Sequence, residues 1–252
     1  MRDRLDTLDT LVSDYRLDAT GFDAAAGHLT DHGPLGNHLA IGGARTVPLY
    51  RAVDGHECMD FDGSWWFEGR SPLLGGGSLA MLFAGGADRA DGLLYVLHTA
   101  ARARMAGVGR DGSLAGVAPD QWYARATRRD GAYLYGAQVR CYANYRESPG
   151  FPNVGYVSRG PLHLLAASFM GASPHRRAAV DGGPVATGID AADPAYAVPS
   201  GSHLRVGGLL PSGTIGSGFL AIKRLWFLRG DAFEHPGFAA ARAAEVAAWG
   251  IG

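Results

Sequence analysis

Short apolar or alternating runs, separated by Gly, Asp and Pro, fill most of the chain from about residue 47 to residue 230. Ten runs have the length of a β-strand, and no helical pattern lies between them. They begin at Val47, Cys58, Ser78, Gly92, Trp122, Ala132, Leu162, Arg176, His203 and Phe219. Strand-length runs at turn-marked spacing predict an all-β fold, a two-sheet antiparallel β-sandwich. The run at 132–145 alternates in character, which is typical of an antiparallel strand with one buried face.

The beginning of the chain has a different pattern. Leu5, Leu8, Val12 and Tyr15 follow each other at spacings of three, four and three residues, which is the seam spacing of a coiled coil. This predicts a short amphipathic helix over residues 1–19. The helix either docks on its own domain or serves oligomerisation, and the pattern leaves both open. A connecting segment over 20–46, with turn signals GPLG and GG, follows it.

The end of the chain also predicts a helix. Pro236 stands near a first turn, an alanine-rich stretch follows, and Gly250 comes just after it. We expect this helix, over 233–252, to pack on the edge of the sandwich. The sandwich itself is then expected over 47–232.

Length and charge restrict the class of protein. A chain of 252 residues is long enough to bury one continuous core. The net charge of -1 arises from acids and bases scattered along the chain, so the phosphate backbone of a nucleic acid has no basic stripe to bind. No apolar window approaches the roughly 18 residues of a membrane span, which argues against membrane insertion.

Expected location follows from the N-terminus and the composition. The first fifteen residues are highly charged and lack the apolar region of a signal peptide. Lys223 is the only lysine among the 23 basic residues, a bias that indicates GC-rich coding and a bacterial or phage source. Synthesis in the bacterial cytoplasm is therefore expected, with release inside a particle or by lysis. Cys58 and Cys141 are either paired or free, and the sequence leaves both open.

Three segments carry a resemblance to a known family. CMDFDGSWWFEG is followed by SLAMLFA, and later HLLAASFMGASPHRRAAVDGGPVATG is followed by HLRVGG and GFLAIKRLWFLRGDAF. This order resembles laminin G-like, concanavalin A-like domains, including a hairpin that ends in the turn Val180-Asp181-Gly182. Leu162-His163 stands where the family has Trp-His, and the closing strand lacks an acidic residue. The resemblance implies a jelly roll, a frequent sugar-binding role and sometimes a calcium ion.

Catalysis is not expected from the acidic residues. Retaining glycosidases use two carboxylates that project from one strand. The five glutamates are Glu57, Glu68, Glu147, Glu234 and Glu245, and none lies two residues from another acid on a clear strand. We therefore expect a protein that is not an enzyme.

Two groups of residues could bind a metal ion. Asp60 and Asp62 would point to one face of a strand and are candidate ligands for calcium, while Asp62 beside Gly63 also fits a turn-capping role. His28, Asp31 and His32 have ligand atoms, but a hydrogen-bonded loop is the stronger interpretation because no distal ligand motif accompanies them.

Aromatic side chains are the remaining candidates for a binding role, because sugar rings stack on flat aromatic surfaces. Trp65 and Trp66 are neighbours, so one should face the core and the other solvent. The candidate sugar-binding residues are Trp66, Trp122, Tyr123 and Tyr145.

These observations predict a non-catalytic structural or adhesion protein in the head or tail of a phage-like virion, with a lectin-like sandwich that binds host surface glycans. Its protein partners would be other virion proteins or further copies of itself. One alternative is a free carbohydrate-binding module. A second alternative is a glycan hydrolase or lyase with an unrecognised site.

Overall fold

The structure, a computed structural model, describes residues 4–62, 64–70, 72, 76–85, 92–98, 103–110, 121–128, 136–142, 153–158, 161–170, 175–189, 203–207 and 219–252. The strands are β1 (Leu11–Arg16), β2 (Phe22–Asp23), β3 (His28–Leu29), β4 (Leu39–Gly43), β5 (Tyr50–Val53), β6 (His56–Asp62), β7 (Trp65–Arg70), β8 (Gly76–Gly85), β9 (Gly92–His98), β10 (Ala103–Arg110), β11 (Gln121–Arg128), β12 (Gly136–Tyr142), β13 (Asn153–Ser158), β14 (His163–Met170), β15 (His175–Val180), β16 (Ala186–Ile189), β17 (His203–Val206) and β18 (Phe219–Arg229). The described helices are two 3-10 turns, Leu5–Thr7 and Ala232–Glu234, and one α-helix, α1 (Phe238–Ala248).

The strands form two sheets. One has the order β16-β15-β14-β8-β18-β6-β5, with β1 paired to β18, and is called the eight-stranded sheet. The other has the order β13-β12-β11-β10-β9-β17-β7-β4-β3-β2 and is called the ten-stranded sheet. Neighbouring strands are antiparallel except β10 and β11, which run parallel. The two-sheet β-sandwich is confirmed, and each of the ten predicted runs contains a strand.

The main core lies between the two sheets. Every second residue of a strand points inward, because side chains alternate across the pleat. Trp65 and Phe67 of the ten-stranded sheet meet Phe61, Phe83 and other apolar residues of the eight-stranded sheet in one buried cluster. Trp65 is fully buried and Trp66 is only half-buried, so the predicted division between the two neighbours is confirmed.

The eight-stranded sheet also buries its other face. A second apolar cluster lies on this face and is formed by residues that alternate with core residues along β8 and β18. On these two strands its members are Ala80, Leu82, Trp226 and Leu228. Leu5 and Leu8 of the N-terminal segment cover this cluster together with Phe238 and Ala241 of α1. The expectation that the C-terminal helix packs on the sandwich edge is therefore wrong. It packs on a sheet face, because that face is as apolar as the core face.

A short N-terminal helix is present, but the predicted bounds 1–19 are wrong. Within residues 4–19, Leu5–Thr7 form a 3-10 turn and Leu11–Arg16 form strand β1. Strand β6 pairs with β18 from Phe219 to Ile222, and β1 pairs with the rest of β18, from Arg224 to Leu228. Beyond the end of β6, the amide and carbonyl groups of β18 need hydrogen-bond partners. A strand can supply them, whereas a helix uses its own amides and carbonyls internally.

The four residues of the predicted coiled-coil seam lie in two separate clusters. Leu5 and Leu8 belong to the cluster under α1, whereas Tyr15 lies in the main core and Val12 packs against that core. Leu5 and Tyr15 have no exposed surface. These side chains are therefore used inside the chain and do not form an oligomerisation seam.

The predicted connecting segment over 20–46 contributes three strands. β2, β3 and β4 extend the ten-stranded sheet beyond β7. The sandwich consequently begins near Leu11 instead of residue 47. Their short length, two residues each for β2 and β3, explains why the sequence pattern did not show them.

The C-terminal helix itself is confirmed, with bounds Phe238–Ala248. Gly250 has a φ of 65°, and the amides of Gly250 and Ile251 donate to Ala247 and Val246 at 3.4 and 3.0 Å. This is the hydrogen-bond pattern of a Schellman motif, in which glycine adopts the left-handed conformation that ends a helix. Among the described residues, no helix is long and apolar enough to span a membrane.

The turn after β15 matches the expected Val-Asp-Gly pattern. Asp181 has a φ of 51°, and the Gly183 amide donates to the Val180 carbonyl at 2.9 Å. The Asp181 carboxylate accepts the Leu164 amide at 2.8 Å and lies 2.8 Å from Nδ1 of His163. The predicted turn therefore also fixes the start of β14.

Cys58 is a free, buried thiol. It lies on β6 of the eight-stranded sheet, whereas Cys141 lies on β12 of the ten-stranded sheet. Of the two alternatives that the sequence left open, the free thiol is the one observed at Cys58.

Candidate functional site

The outward face of β7 carries the one predicted sugar-binding side chain that the structure describes. Because Trp65 and Phe67 point into the core, Trp66 and Glu68 point away from it. Both are half-buried, and Arg70, the next residue on this face, is exposed. The site is therefore built on a strand of the ten-stranded sheet, on the side opposite the core.

Two glycines of β4 hold the Trp66 indole. Gly42 pairs with Trp66 and Gly43 with Trp65. A Cβ added at Gly42 would lie 2.5 Å from Nε1 and 2.9 Å from Cε2 of Trp66, and one added at Gly43 would lie 2.9 Å from its Cζ3. These distances are shorter than the contacts that real Cβ atoms make, so a side chain at either position would clash with the ring. The indole therefore lies flat along the backbone of β4. A flat, half-buried indole is a preformed stacking surface.

Strand β4 carries small residues beside Trp66 and Glu68. Ala40 pairs with Glu68 and is exposed, and Gly42 has no side chain. Because the Trp66 indole lies over Gly42, the small exposed residue beside Glu68 on this face is Ala40.

Two histidines lie near Ala40, His28 on the neighbouring strand β3 and His38 just before β4. His28 of β3 pairs with Ala40, and its ring stacks on His38 with centroids 4.5 Å apart and planes inclined by 11°. Nδ1 of His38 accepts the Asp31 amide at 3.1 Å. Asp23 of β2 lies opposite His28, and backbone hydrogen bonds from Ala26 and Ala25 help to lower its pKa. Asp23 is therefore ionised at neutral pH.

The loop that carries His38 is held by Asp31. This buried carboxylate accepts the amides of Asp14, Gly33 and Asn37 at 2.9, 2.8 and 2.8 Å. The interpretation as a hydrogen-bonded loop is confirmed for Asp31, whereas it is wrong for His28, which lies in strand β3. These hydrogen bonds of Asp31 hold the residues that lead into β4 in place.

The proposed calcium ligands Asp60 and Asp62 lie elsewhere, on β6. Asp60 accepts Nε of Arg51 at 3.1 Å, and Asp62 accepts the amide and hydroxyl of Ser64 at 2.9 and 2.6 Å. The turn-capping role of Asp62 is confirmed. The described part of the chain contains no group of three His, Cys, Asp or Glu residues that could hold a metal ion. Calcium binding by this pair stays a prediction.

Two of the remaining sugar-binding candidates lie far from Trp66. Trp122 and Tyr123 lie on β11, four strands from β7 in the ten-stranded sheet, a distance of about 19 Å. Tyr145 lies outside the described residues. The sequence did not single out Gly42, Ala40 or His38, because Gly42-Gly43 resembled a turn signal and the partner of β4 was unknown.

The comparisons with known proteins concern the fold. Scans against protein-family models and curated proteins find no match. Botulinum neurotoxin type C, whose cell entry depends on two ganglioside molecules, is similar with a TM-score of 0.51 and 7% identity, over 96% of this chain and 52% of its own. That likeness shows a shared fold, and this chain spans about half of the neurotoxin structure.

Two further solved structures are similar with lower scores. Domain 4 of AbnA, a GH43 extracellular arabinanase of Geobacillus stearothermophilus, solved with arabinotriose, has a TM-score of 0.49 and 11% identity over 88% of this chain and 93% of its own. A conserved carbohydrate esterase of the Shiga toxin-encoding bacteriophage phi24B has a TM-score of 0.47 and 14% identity over 88% and 99%.

Proposed function

We propose that this chain is a carbohydrate-binding module and that its ligand stacks on Trp66, on the outward face of the ten-stranded sheet. The observation that carries the proposal is the indole held flat on Gly42 and Gly43 yet only half-buried. A fixed aromatic surface loses little conformational entropy when a sugar ring stacks on it. Polar groups at its side, such as the Glu68 carboxylate, are the groups that add specificity for hydroxyls.

We propose further that the module binds without cleaving. Glu57, Glu234 and Glu245 make contacts with distant parts of the chain. Glu57 accepts the Ala19 amide at 2.8 Å, Glu234 lies 3.2 Å from Nη2 of Arg177, and Glu245 accepts Nε of Arg4 and Nε1 of Trp249 at 2.8 and 2.9 Å. A carboxylate engaged in this way is poorly placed to serve as a nucleophile or a general acid.

The finer part of the proposal is that a phage-like virion carries this module and uses it to attach to surface glycans. Its support is geometric. The N-terminal segment and α1 both cover the outer face of the eight-stranded sheet. A particle protein that contacts these segments would present the ten-stranded sheet, and with it Trp66, toward the host.

The test of sugar binding compares two aromatic substitutions. Trp66→Ala should lower the affinity for a bound oligosaccharide by about five- to tenfold, since an aromatic contact is worth about 1 to 1.4 kcal/mol. Tyr50→Ala removes an aromatic side chain that is 39% exposed on the eight-stranded sheet and should leave the affinity unchanged. Calorimetry with oligosaccharides identified on a glycan array gives the affinities, with and without EDTA. Equal affinities for both variants, or no binding by the parent chain, would contradict the proposal.

The virion role and its alternatives need separate measurements. Gradient-purified particles from the producing bacterium should contain the chain at a fixed stoichiometry. Its recovery only as free protein would overturn the virion part and favour the free carbohydrate-binding module. Incubation with a bound polysaccharide should leave its chain length unchanged, and shortening would establish the hydrolase or lyase instead.

A further inference from the structure

We infer that the ligand is a glycan that stacks on Trp66 and carries a carboxylate, which pairs with the guanidinium of Arg70; this inference rests on the proposed carbohydrate binding. Trp66 and Arg70 both belong to β7 and lie on its outward face, because side chains alternate between the two faces of a strand. Glu68 lies between them on the same face. One ligand that follows β7 can therefore contact all three side chains.

The spacing along β7 favours an oligosaccharide over a single sugar. Trp66 and Arg70 are four residues apart, which is about 13 Å along a strand. A ligand that contacts both has to pass over Glu68, whose carboxylate oxygens can accept hydrogen bonds from sugar hydroxyls. The stacked ring and the acidic group consequently belong to different sugar units of one chain.

The main chain at Arg70 is held in place by contacts that lead back to the core. The side-chain amide of Asn37 donates to the Arg70 carbonyl at 2.7 Å, and the backbone amide of Asn37 donates to the buried Asp31 carboxylate at 2.8 Å. The Asn37 carbonyl accepts the hydroxyl of Tyr15, a fully buried residue of β1, at 2.6 Å. Because the last residue of β7 has a fixed backbone, only its side chain has to be ordered when a ligand binds, and this lowers the entropic cost.

The guanidinium of Arg70 is exposed and has no carboxylate partner in the part of the chain that the structure describes. Other described arginines contact a carboxylate at 3.1 Å or less, namely Arg4, Arg51, Arg177 and Arg224. Arg16 and Arg229 are also exposed and unpaired among the described residues, but they belong to the eight-stranded sheet. Arg70 is thus the described arginine that shares a surface with Trp66 and is available to a ligand.

The chemistry of this pair of residues selects a carboxylate at low charge density. The planar N–H groups of a guanidinium match the two oxygens of a carboxylate, and such charge-assisted hydrogen bonds are about twice as strong as those to neutral groups. Glu68, two positions along the same face, repels a dense row of negative charges. A glycan with an occasional acidic sugar, such as a uronic acid, therefore fits better than a heavily sulfated or phosphorylated chain.

The experiment compares acidic oligosaccharides with their carboxyl-reduced forms, in which a hydroxyl group replaces each carboxylate on the same chain. A glycan array presents uronate- and sialate-containing oligosaccharides, each beside its reduced form, and calorimetry measures the pairs that bind. The parent chain should bind the acidic form about fivefold more tightly, the upper range for an exposed ion pair. The difference should shrink at about 0.5 M salt, because salt screens exposed charges.

Two matched substitutions assign the preference to Arg70. Arg70→Gln should abolish the preference for the acidic form and leave the affinity for the reduced form unchanged. Arg16→Gln removes an exposed arginine of β1 in the other sheet and should keep the preference. Thermal melting checks that both variants are folded.

The outcomes separate the acidic contact from the function. Equal binding of acidic and reduced forms by the parent chain, or an unchanged preference in Arg70→Gln, would overturn this inference. Loss of affinity in Trp66→Ala would in that case leave carbohydrate binding standing without the acidic contact. Absence of binding by the parent chain to every member of the array would remove the proposed function and this inference with it.

Discussion

Arg224 of β18 and Asp14 of β1 form a buried, two-pronged ion pair. Nε and Nη2 of Arg224 donate to the two carboxylate oxygens of Asp14 at 2.8 and 2.7 Å, and Nη2 also donates to Asp6 at 2.8 Å. The guanidinium lies 4.9 Å from the ring centroid of Trp226. Burial by itself lowers the pKa of Arg224, but the hydrogen bonds and charges of Asp14 and Asp6 raise it above its usual value. The pair therefore fixes the N-terminal strand to the centre of the sheet.

Breaking this pair should destabilise the whole domain. Asp14→Asn keeps the side-chain shape but leaves the Arg224 charge buried without its main partner, which should lower the free energy of unfolding by about 3 kcal/mol. Asp9→Asn is the matched control, because the Asp9 side chain is 86% exposed, and it should change stability by less than about 0.5 kcal/mol. Urea unfolding followed by circular dichroism measures both. Similar losses in the two variants would show that the pair contributes little.

Gly207, just after β17, should tolerate no side chain. It has a φ of 79°, and an added Cβ would overlap the ring of buried Phe61. Gly207→Ala combines backbone strain with overpacking and should cost about 2–4 kcal/mol. Gly55 also has a φ of 79° but has nothing within 4 Å of an added Cβ, so Gly55→Ala isolates the strain at about 1 kcal/mol. Thermal melting compares the two, and equal costs would mean that Phe61 moves aside easily.

The Cys58 thiol should be unreactive in the folded protein. Burial raises its pKa from 9.0 to about 11, and the residue has no exposed surface. Thiolate is the reactive form, so very little of it is present at pH 8. In a Cys141→Ser variant, Ellman's reagent should label Cys58 only as fast as the protein opens, and one thiol per chain should react at once in guanidinium. Labelling of the folded variant within the mixing time would contradict this expectation.

Stability should fall in acid because of Asp18. Burial favours the protonated form, but hydrogen bonds from Lys223 and Thr20 and the Lys223 charge outweigh it and lower the pKa of Asp18. The unfolded chain therefore binds this proton first, and the stabilisation present above the unfolded pKa of about 4 is lost as pH falls through the folded pKa. Asp18→Asn should flatten the dependence of unfolding free energy on pH below about 4. An unchanged dependence would show that the Asp18–Lys223 pair is not responsible.

The local sequence pattern was sufficient to predict most strands of the sandwich. Each of the ten apolar runs contains a strand, because alternation and turn residues act within a few neighbouring positions. The helix at Phe238–Ala248 and its glycine stop were predicted for the same reason. The spacing of the apolar residues near the N-terminus fits a helix as well as it fits the observed turn and strand; these residues are Leu5, Leu8, Val12 and Tyr15. The strand forms because β1 pairs with the backbone of β18, a contact that the spacing does not show.

For the candidate site, the sequence by itself determined that one of Trp65 and Trp66 faces solvent, since neighbours in a strand point to opposite faces. Tertiary structure decided what surrounds that tryptophan. Gly42 and Trp66 are 24 positions apart in the chain and meet only because β4 pairs with β7 in one register. A shift by one residue in one of the two directions would place Ile41 opposite Trp66 and remove the flat support. Register between distant strands is fixed when their hydrophobic faces pack in one core, and the pattern of one strand does not show which residue of a distant strand it will meet.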